Sequence, residues 1–437
     1  MASPGSRSRQ ETPPMAERLL RIVQAGAPLR PHSPALDPGA VEDARAIIDD
    51  VRVRAEAALR HHAERLGDLQ PGAPLIIERD ELERAWHKLD DPTRALLERT
   101  AARIDAFARA QREALSEVDL RIQGGRAGHT VEPVEVAGCY APGGRYPLPS
   151  SVLMTAVTAR AAGVSRVLVA TPRPGELMLG AAYIAGADAV LAIGGAQAVA
   201  AMALGIGGAP RCDVICGPGN KWVSAAKWLV SAECGIDMIA GPSELLVLAD
   251  DSADASTVAA DLLAQAEHDA DASAVLISTS AELVDAVERA LHAQLETLST
   301  ADTARRALAN GCAVIAASID EAIALTDQHA PEHLEIHTRD ADAVARRIRH
   351  AGAIFIGKAS AEVFGDYGAG PNHTLPTGGT ARHSAGLSVL HFLRVRTWLR
   401  MDDAPSAASR SLAEDAAALA RLEGLEAHAR SALKRLP

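Results

Sequence analysis

The chain has 437 residues, enough for two or three domains with a sizeable core. Hydrophobic residues make up 48% and charged residues 23%, an ordinary soluble composition; aromatics are only 3%, so the core must be built from small aliphatic side chains. A net charge of −12 argues against a nucleic-acid surface and is compatible with a small cationic substrate.

In chain order, Met1–Pro14 is rich in Ser, Arg and Pro and lacks the apolar core of a secretory signal, so residues 1–14 are expected to be a disordered tail, with order from Met15. Residues 15–134 read as a helical N-terminal part joining the 249–387 unit; Val41–Arg65 and Asp80–Glu117 carry apolar residues at helical spacing among charges. The texture then changes. Short β-branched runs at Arg166–Thr171, Ala189–Gly194 and Asp213–Gly217 are each followed by Gly or Pro and then by a helical stretch. That alternation predicts a parallel sheet covered by helices. It starts again with strand-like runs at Glu244–Ala249, Ala274–Ser278, Ala313–Ala317 and Ala353–Gly357.

The expected fold class is therefore α/β: two tandem, incomplete Rossmann-like parallel-sheet units, 135–248 and 249–387, with helical N-terminal and C-terminal segments. From Ser388 the chain is expected to be helical again, and 388–437 reads as a C-terminal helical segment with an apolar face for docking. No apolar run approaches the roughly 20 residues that span a bilayer. The five cysteines, Cys139, Cys212, Cys216, Cys234 and Cys312, are scattered and odd in number. They are no disulfide framework or zinc knuckle and read as small core residues in a reducing cytoplasm, none in a motif that activates a thiol.

Several polar groups interrupt this pattern. Gln265 and His268 stand three apart in a stretch that reads as helix, at the rim of the apolar stripe Val258, Leu262, Ala266. They are either satisfied core groups or ligands. Gln265, His268, Asp366 and His428 would together offer zinc two nitrogens and two oxygens, with the weak amide leaving room for exchange. Glu332 and His333, after a proline, are either a polar surface loop or a carboxylate beside a base of near-neutral pKa. Asp366–His373 is too glycine-rich for a helix and reads as a loop presenting a carboxylate and an imidazole. Glu423 and His428 flank Gly424, where a helix either bends or sends the two residues to different walls of a pocket. The dinucleotide fingerprint is absent. Glycine-rich turns at Pro142–Gly144, Gly194–Gly195 and Gly217–Asn220 are either tight turns or places where backbone N–H groups meet a phosphate.

Taken together, Tyr140–Gly144, Gly194–Gln197, Gly217–Asn220, Gly241–Glu244, Gln265–His268, Ala330–His333 and Asp366–Pro376, in this order, resemble the histidinol dehydrogenase family over Val131–Leu433; the helical N-terminal part resembles it only loosely. The resemblance implies a cytoplasmic enzyme that oxidises L-histidinol to L-histidine through the aldehyde, with NAD and one zinc ion per subunit. It implies that Tyr140, Gln197 and Asn220, in the 135–248 unit, contact NAD. It assigns zinc to Gln265, His268, Asp366 and His428, and the acid–base pair to Glu332 and His333. Substrate contacts fall to Ser243, His333, His373 and Glu423 together with the metal ligands. It also implies an intertwined homodimer in which the C-terminal histidine serves the partner's site. Gly144–Pro149 and Met154–Thr158 depart from the commonest family wording and resemble paralogous dehydrogenases of other small alcohols, such as sulfopropanediol, as an alternative. His391 stands where an acidic residue is expected. A catalytically silent metal- or nucleotide-binding relative is the reading outside enzymes.

Overall fold

A computed structural model describes residues 18–24, 26–27, 29, 36–143, 147–402 and 406–436. The expected tail at 1–14 and Gly144 lie outside these. Fifteen strands occur among the described residues: β1 Arg21–Val23, β2 Ile76–Glu78, β3 Val118–Ile122, β4 Gly125–Pro133, β5 Val136–Tyr140, β6 Arg166–Ala170, β7 Ala189–Leu191, β8 Val214–Cys216, β9 Gly235–Ile236, β10 Glu244–Ala249, β11 Ser273–Ser278, β12 Cys312–Ile315, β13 His333–His337, β14 Ala353–Ile356 and β15 Leu393–Met401. They fall into two compact units, one of residues up to 37, 238–364 and 375–386, the other of 38–237, 365–374 and 387 onward.

The first unit is a wholly parallel six-stranded sheet in the order β1-β12-β11-β10-β13-β14. Strand side chains alternate between faces, so a strand covered on both sides is apolar throughout. Leu245, Val247 and Ala249 of β10 pack with Leu262, Val287 and Leu308 from helices Ala255–Ala266, Ala281–Leu295 and Ala301–Leu308. Leu246 and Leu248 enter the opposite core with Ile323 and Leu325 of helix Ile319–His329.

The second unit has the order β2-β7-β6-β5-β8-β9, with β2 antiparallel to β7 and the rest parallel. Setting β1 and β2 aside, both sheets are wound alike. The first strand (β5 or β10) lies centrally, the next two go to one side and the last two to the other. The expected repetition of an α/β unit is thus visible in topology.

Two expectations are corrected. Residues 38–134 group with 135–237 and not with 249–387. Helix Pro38–Arg54 packs on helices Gly195–Leu204 and Lys221–Val230, Arg79–Lys88 on Glu176–Ile184, and Asp91–Glu113 on Pro149–Ala162, while β2 extends the sheet itself. The segment after Ser388 is also not all helix. β15 pairs antiparallel with β4 through Leu393↔Pro133 to Met401↔Gly125, and β3 completes a three-stranded sheet. The run Leu393–Met401 alternates charged with apolar residues over much of its length, a strand pattern. Helices Ala407–Leu422 and Glu426–Leu433 follow, broken at Gly424, whose φ is 76°. Leu419, Leu422 and Leu425 on them are exposed.

No helix among the described residues is long and apolar enough to cross a membrane. All five cysteines are free and buried. Burial raises the Cys212 and Cys216 thiols well above their usual range and takes Cys234 and Cys312 to about 11. A thiolate is the reactive form. A chromogenic disulfide reagent at pH 8 should therefore find almost no thiol in the native protein and all five after denaturation; fast native labelling would show a thiol held differently.

Candidate functional site

The first unit assembles its polar groups where strands begin. β10 and β13 are adjacent and parallel, with Leu245 level with His333, so Ser243–Glu244 and Glu332–His333 meet at one sheet edge. Ser243 Oγ and the Glu244 N–H both donate to Glu332 Oε2, each at 2.8 Å. His333 Nδ1 donates to the Glu244 carbonyl at 3.3 Å and lies 3.6 Å from carboxylate oxygens of Glu332 and Glu362. With the proton held on Nδ1, the basic lone pair of the neutral imidazole is on Nε2. Glu332 and His333 are both buried, which excludes the surface-loop reading. Ala330, at φ 51°, turns the chain out of helix Ile319–His329 just before them. Glu244 is fixed in turn: the Gly378 N–H donates to its Oε1 at 2.6 Å, and His329 Nε2 is 3.6 Å from its Oε2.

Gln265 and His268 are not both helical. Gln265 is in the last turn of helix Ala255–Ala266, and His268 lies beyond the C-cap, Glu267. Gln265 is fully buried rather than at a rim, and neither its Oε1 nor its Nε2 has a hydrogen-bond partner among the described residues. Leaving such an amide unsatisfied costs about 1–3 kcal/mol, which makes Gln265 a candidate to hold an added group. His268 and Glu362 offer ligand atoms within 4.8 Å of each other. Nitrogen and oxygen donors of this kind fit zinc. Asp366 stands one helical turn on from Glu362, as the last residue of the short helix Glu362–Asp366, and the loop expected at Asp366–His373 follows from there, with Tyr367–His373 non-helical. Glu335 Oε1 secures that helix by accepting the Glu362 N–H at 2.7 Å.

The second unit encloses a cavity of about 690 Å³ lined by Tyr140, Gly194, Gly195, Gln197, Asn220 and Trp222, among others. It lies beyond the carboxyl ends of β5, β7 and β8, at the point where the winding changes side. Two helix N-termini open on it. Asn220 caps one, its Oδ1 accepting the Trp222 and Val223 N–H groups, each at 3.2 Å. Gly195 begins the other, and its N–H donates to the Tyr140 hydroxyl at 3.1 Å. Burial pushes the Tyr140 phenol up to about 12, so it stays protonated at neutral pH. Gly217 has φ +118° and its absent Cβ would stand 2.0 Å from the Tyr140 carbonyl, so only glycine lets this turn close on β5. N–H groups at helix starts suit phosphates.

The remaining candidates also lie in the second unit. His373 Nδ1 donates to the Asp366 carbonyl at 3.0 Å. The neighbouring Asn372 anchors their loop through Nδ2, which donates to the Met154 carbonyl at 2.8 Å and to Thr158 Oγ1 at 3.2 Å. The unusual wording at Met154–Thr158 therefore belongs to the scaffold of the His373 loop. His391 accepts the Ser388 N–H through Nδ1 at 3.2 Å, and burial lowers its pKa. A neutral imidazole thus does the acceptor's work that an acidic residue would do. Glu423 and His428 are exposed on the C-terminal helices.

A family model described as histidinol dehydrogenase matches residues 34–436. The chain is 44% identical over 402 residues to histidinol dehydrogenase of Thermus thermophilus, covering 91% of this chain and 95% of that one. It is 43% identical over 426 residues to that of Natronomonas pharaonis, covering 94% and 99%. The chain belongs to the histidinol dehydrogenase family. A crystal structure of histidinol dehydrogenase from Elizabethkingia anophelis matches with a TM-score of 0.89 at 30% identity, over 96% of this chain and 99% of that one. Histidinol dehydrogenases are oxidoreductases, and these relatives give no support to the alternative of a sulfopropanediol-type enzyme.

Glu244, Glu362 and Asp68, which carries hydrogen bonds in the cavity wall, had no assigned role in the sequence. Glu244 lay inside a quoted motif, and Glu362 precedes Asp366 by the four residues that put two carboxylates on one helix face. Asp68 has no comparable signal. Gln265→Leu tests the buried amide. Removing an unsatisfied group for an apolar one should stabilise the metal-free protein by about 1–3 kcal/mol and weaken retention of added zinc in calorimetry. A lower unfolding midpoint with zinc retention intact would show that the amide is satisfied by the fold.

Proposed function

We propose that the protein catalyses the NAD-dependent, four-electron oxidation of L-histidinol to L-histidine through the aldehyde, the closing steps of histidine biosynthesis. The observation that carries this reading is the buried Glu332–His333 pair, held by Ser243 and Glu244 with the imidazole proton on Nδ1. His333 Nε2 accepts the carbinol proton. General-base catalysis of this kind is worth about 10²–10⁴ in rate. Glu332 orients water for addition to the aldehyde, its Oε2 position set by two donors. Ser243, His373 and Glu423 hold the substrate.

Tyr140, Gln197 and Asn220 would hold NAD, which would supply the hydride acceptor for each oxidation. Gln265, His268, Asp366 and His428 would hold zinc, which would supply a positive charge to orient the substrate's imidazole and amine. The assembly proposed is a homodimer in which His428 serves the partner's site. Exposed Leu419, Leu422 and Leu425 beside an exposed His428 support a C-terminal segment that docks on a second copy. Five free, buried cysteines support a reducing cytoplasm as its place of work.

The direct test is NADH formation by zinc-loaded protein with L-histidinol: two NADH for each substrate are expected, and no turnover would overturn the reading. His333→Ala should lower kcat by about 10²–10⁴; an unchanged rate would remove His333 as the base. Mixing inactive His428→Ala and His333→Ala subunits should restore one working site in each mixed dimer. Failure after verified subunit exchange would count against a shared site.

A further inference from the structure

Asp68 has no part in any motif, yet it organises the cofactor side of the second unit. Its Oδ2 accepts two hydrogen bonds, from the Gly194 N–H at 3.1 Å and from Gln197 Nε2 at 3.1 Å. The first fixes the turn after β7. The second fixes which way the Gln197 amide faces. With Nε2 bound to Asp68, Gln197 presents Oε1, an acceptor. That atom is buried, has no hydrogen-bond partner among the described residues, and belongs to a residue in the cavity wall. The amide occupies space that any other residue at 195 would fill: a Cβ on Gly195, at φ +63°, would stand 2.9 Å from Gln197 Oε1.

We propose that Asp68 is a positioning residue for the dinucleotide, holding Gln197 so that its amide oxygen meets a donor of the cofactor. This rests on the NAD reading above. The hydrogen-bond donors of a nicotinamide dinucleotide are ribose hydroxyls, the carboxamide and the adenine amino group, so Oε1 selects one of these. A phosphate, which offers only acceptors, is excluded at this spot. Burial raises the Asp68 pKa against the lowering effects of Gly194, Arg173 and Gln197. The raised pKa means the ionised carboxylate is disfavoured by the fold, so its charge costs stability as pH rises through the folded pKa. Carboxylates with raised pKa beside a cleft are common at binding sites. Arg173, next to the cavity-lining Pro172, is held at φ 48°, backbone strain of the sort retained at binding sites.

The test is NADH binding, followed by fluorescence and by calorimetry, with thermal unfolding measured in parallel. Asp68→Asn removes the fixed acceptor, because its amide can turn Nδ2 toward Gln197 and release the orientation. It should weaken NADH binding at least tenfold, as should Gln197→Ala, while the unfolding midpoint of Asp68→Asn stays level or rises. In the double variant the losses should not multiply, since both changes remove one interaction. Wild-type affinity in Asp68→Asn, multiplying losses, or a loss that follows a falling midpoint would overturn the inference alone. A wild-type protein that binds no NADH would overturn the cofactor reading and the inference with it.

Discussion

The parallel pairing of β10 with β13 is the constraint on which the polar edge of the first unit depends. In a parallel sheet joined by helices, each crossover helix must run back, so helix ends and strand starts gather on the same edge. Helix Ala255–Ala266 leaves β10 and ends before β11, which delivers Gln265 and His268 there. Helix Ile319–His329 leaves β12 and delivers His329 and then Glu332–His333. Ser243–Glu244 begin β10 itself. Seven polar residues scattered over ninety positions become neighbours of one sheet edge through winding alone. Helix C-termini also carry partial negative charge and favour cations.

The two units are wound alike but used at opposite ends. In the second, the crevice beyond the carboxyl ends, where the strand order changes side, holds the cavity. In the first, the equivalent place is between the ends of β10 and β13, and it is filled from within the chain. Asp250, just past β10, accepts the N–H groups of Ser252 and Arg339 at 2.9 and 3.0 Å, which ties the two strand exits together. The polar work of that unit sits at its amino edge instead.

What was legible in the sequence follows from these facts. Runs such as Glu244–Ala249 declare themselves because strands covered on both faces are apolar throughout. β13 hides because His333, Glu335 and His337 give it alternating ionisable residues that are nevertheless all buried. β15 hides because it is exposed and charge-rich. The placement of 38–134 needed tertiary contacts that no local pattern encodes. At the candidate site, Glu332, His333 and Gln265 stood out in the sequence as polar residues with structural and functional readings both open, and the physics of each came from the fold: a carboxylate with two donors, an imidazole with a fixed tautomer, and an amide with none of its partners.

The first unit also explains how so many carboxylates can be buried near one another. Glu244, Glu332, Glu335 and Glu362 are all inaccessible. An isolated buried carboxylate is untenable. Here three of them accept a backbone N–H, from Gly378, Glu244 and Glu362 respectively, and Glu335 also lies 3.3 Å from His337 Nε2. These bonds make each charge tolerable without cancelling their sum. Like charges this close favour a proton or a cation among them: burial, followed by the nearby Glu335, already raises Asp261 to about 7. The fold therefore gathers negative charge near Gln265 and His268, which a divalent ion would relieve. On the zinc reading proposed above, binding would be favoured by relief of repulsion as well as by ligation, and a neutral amide would suffice as one ligand because the surrounding carboxylates provide the charge.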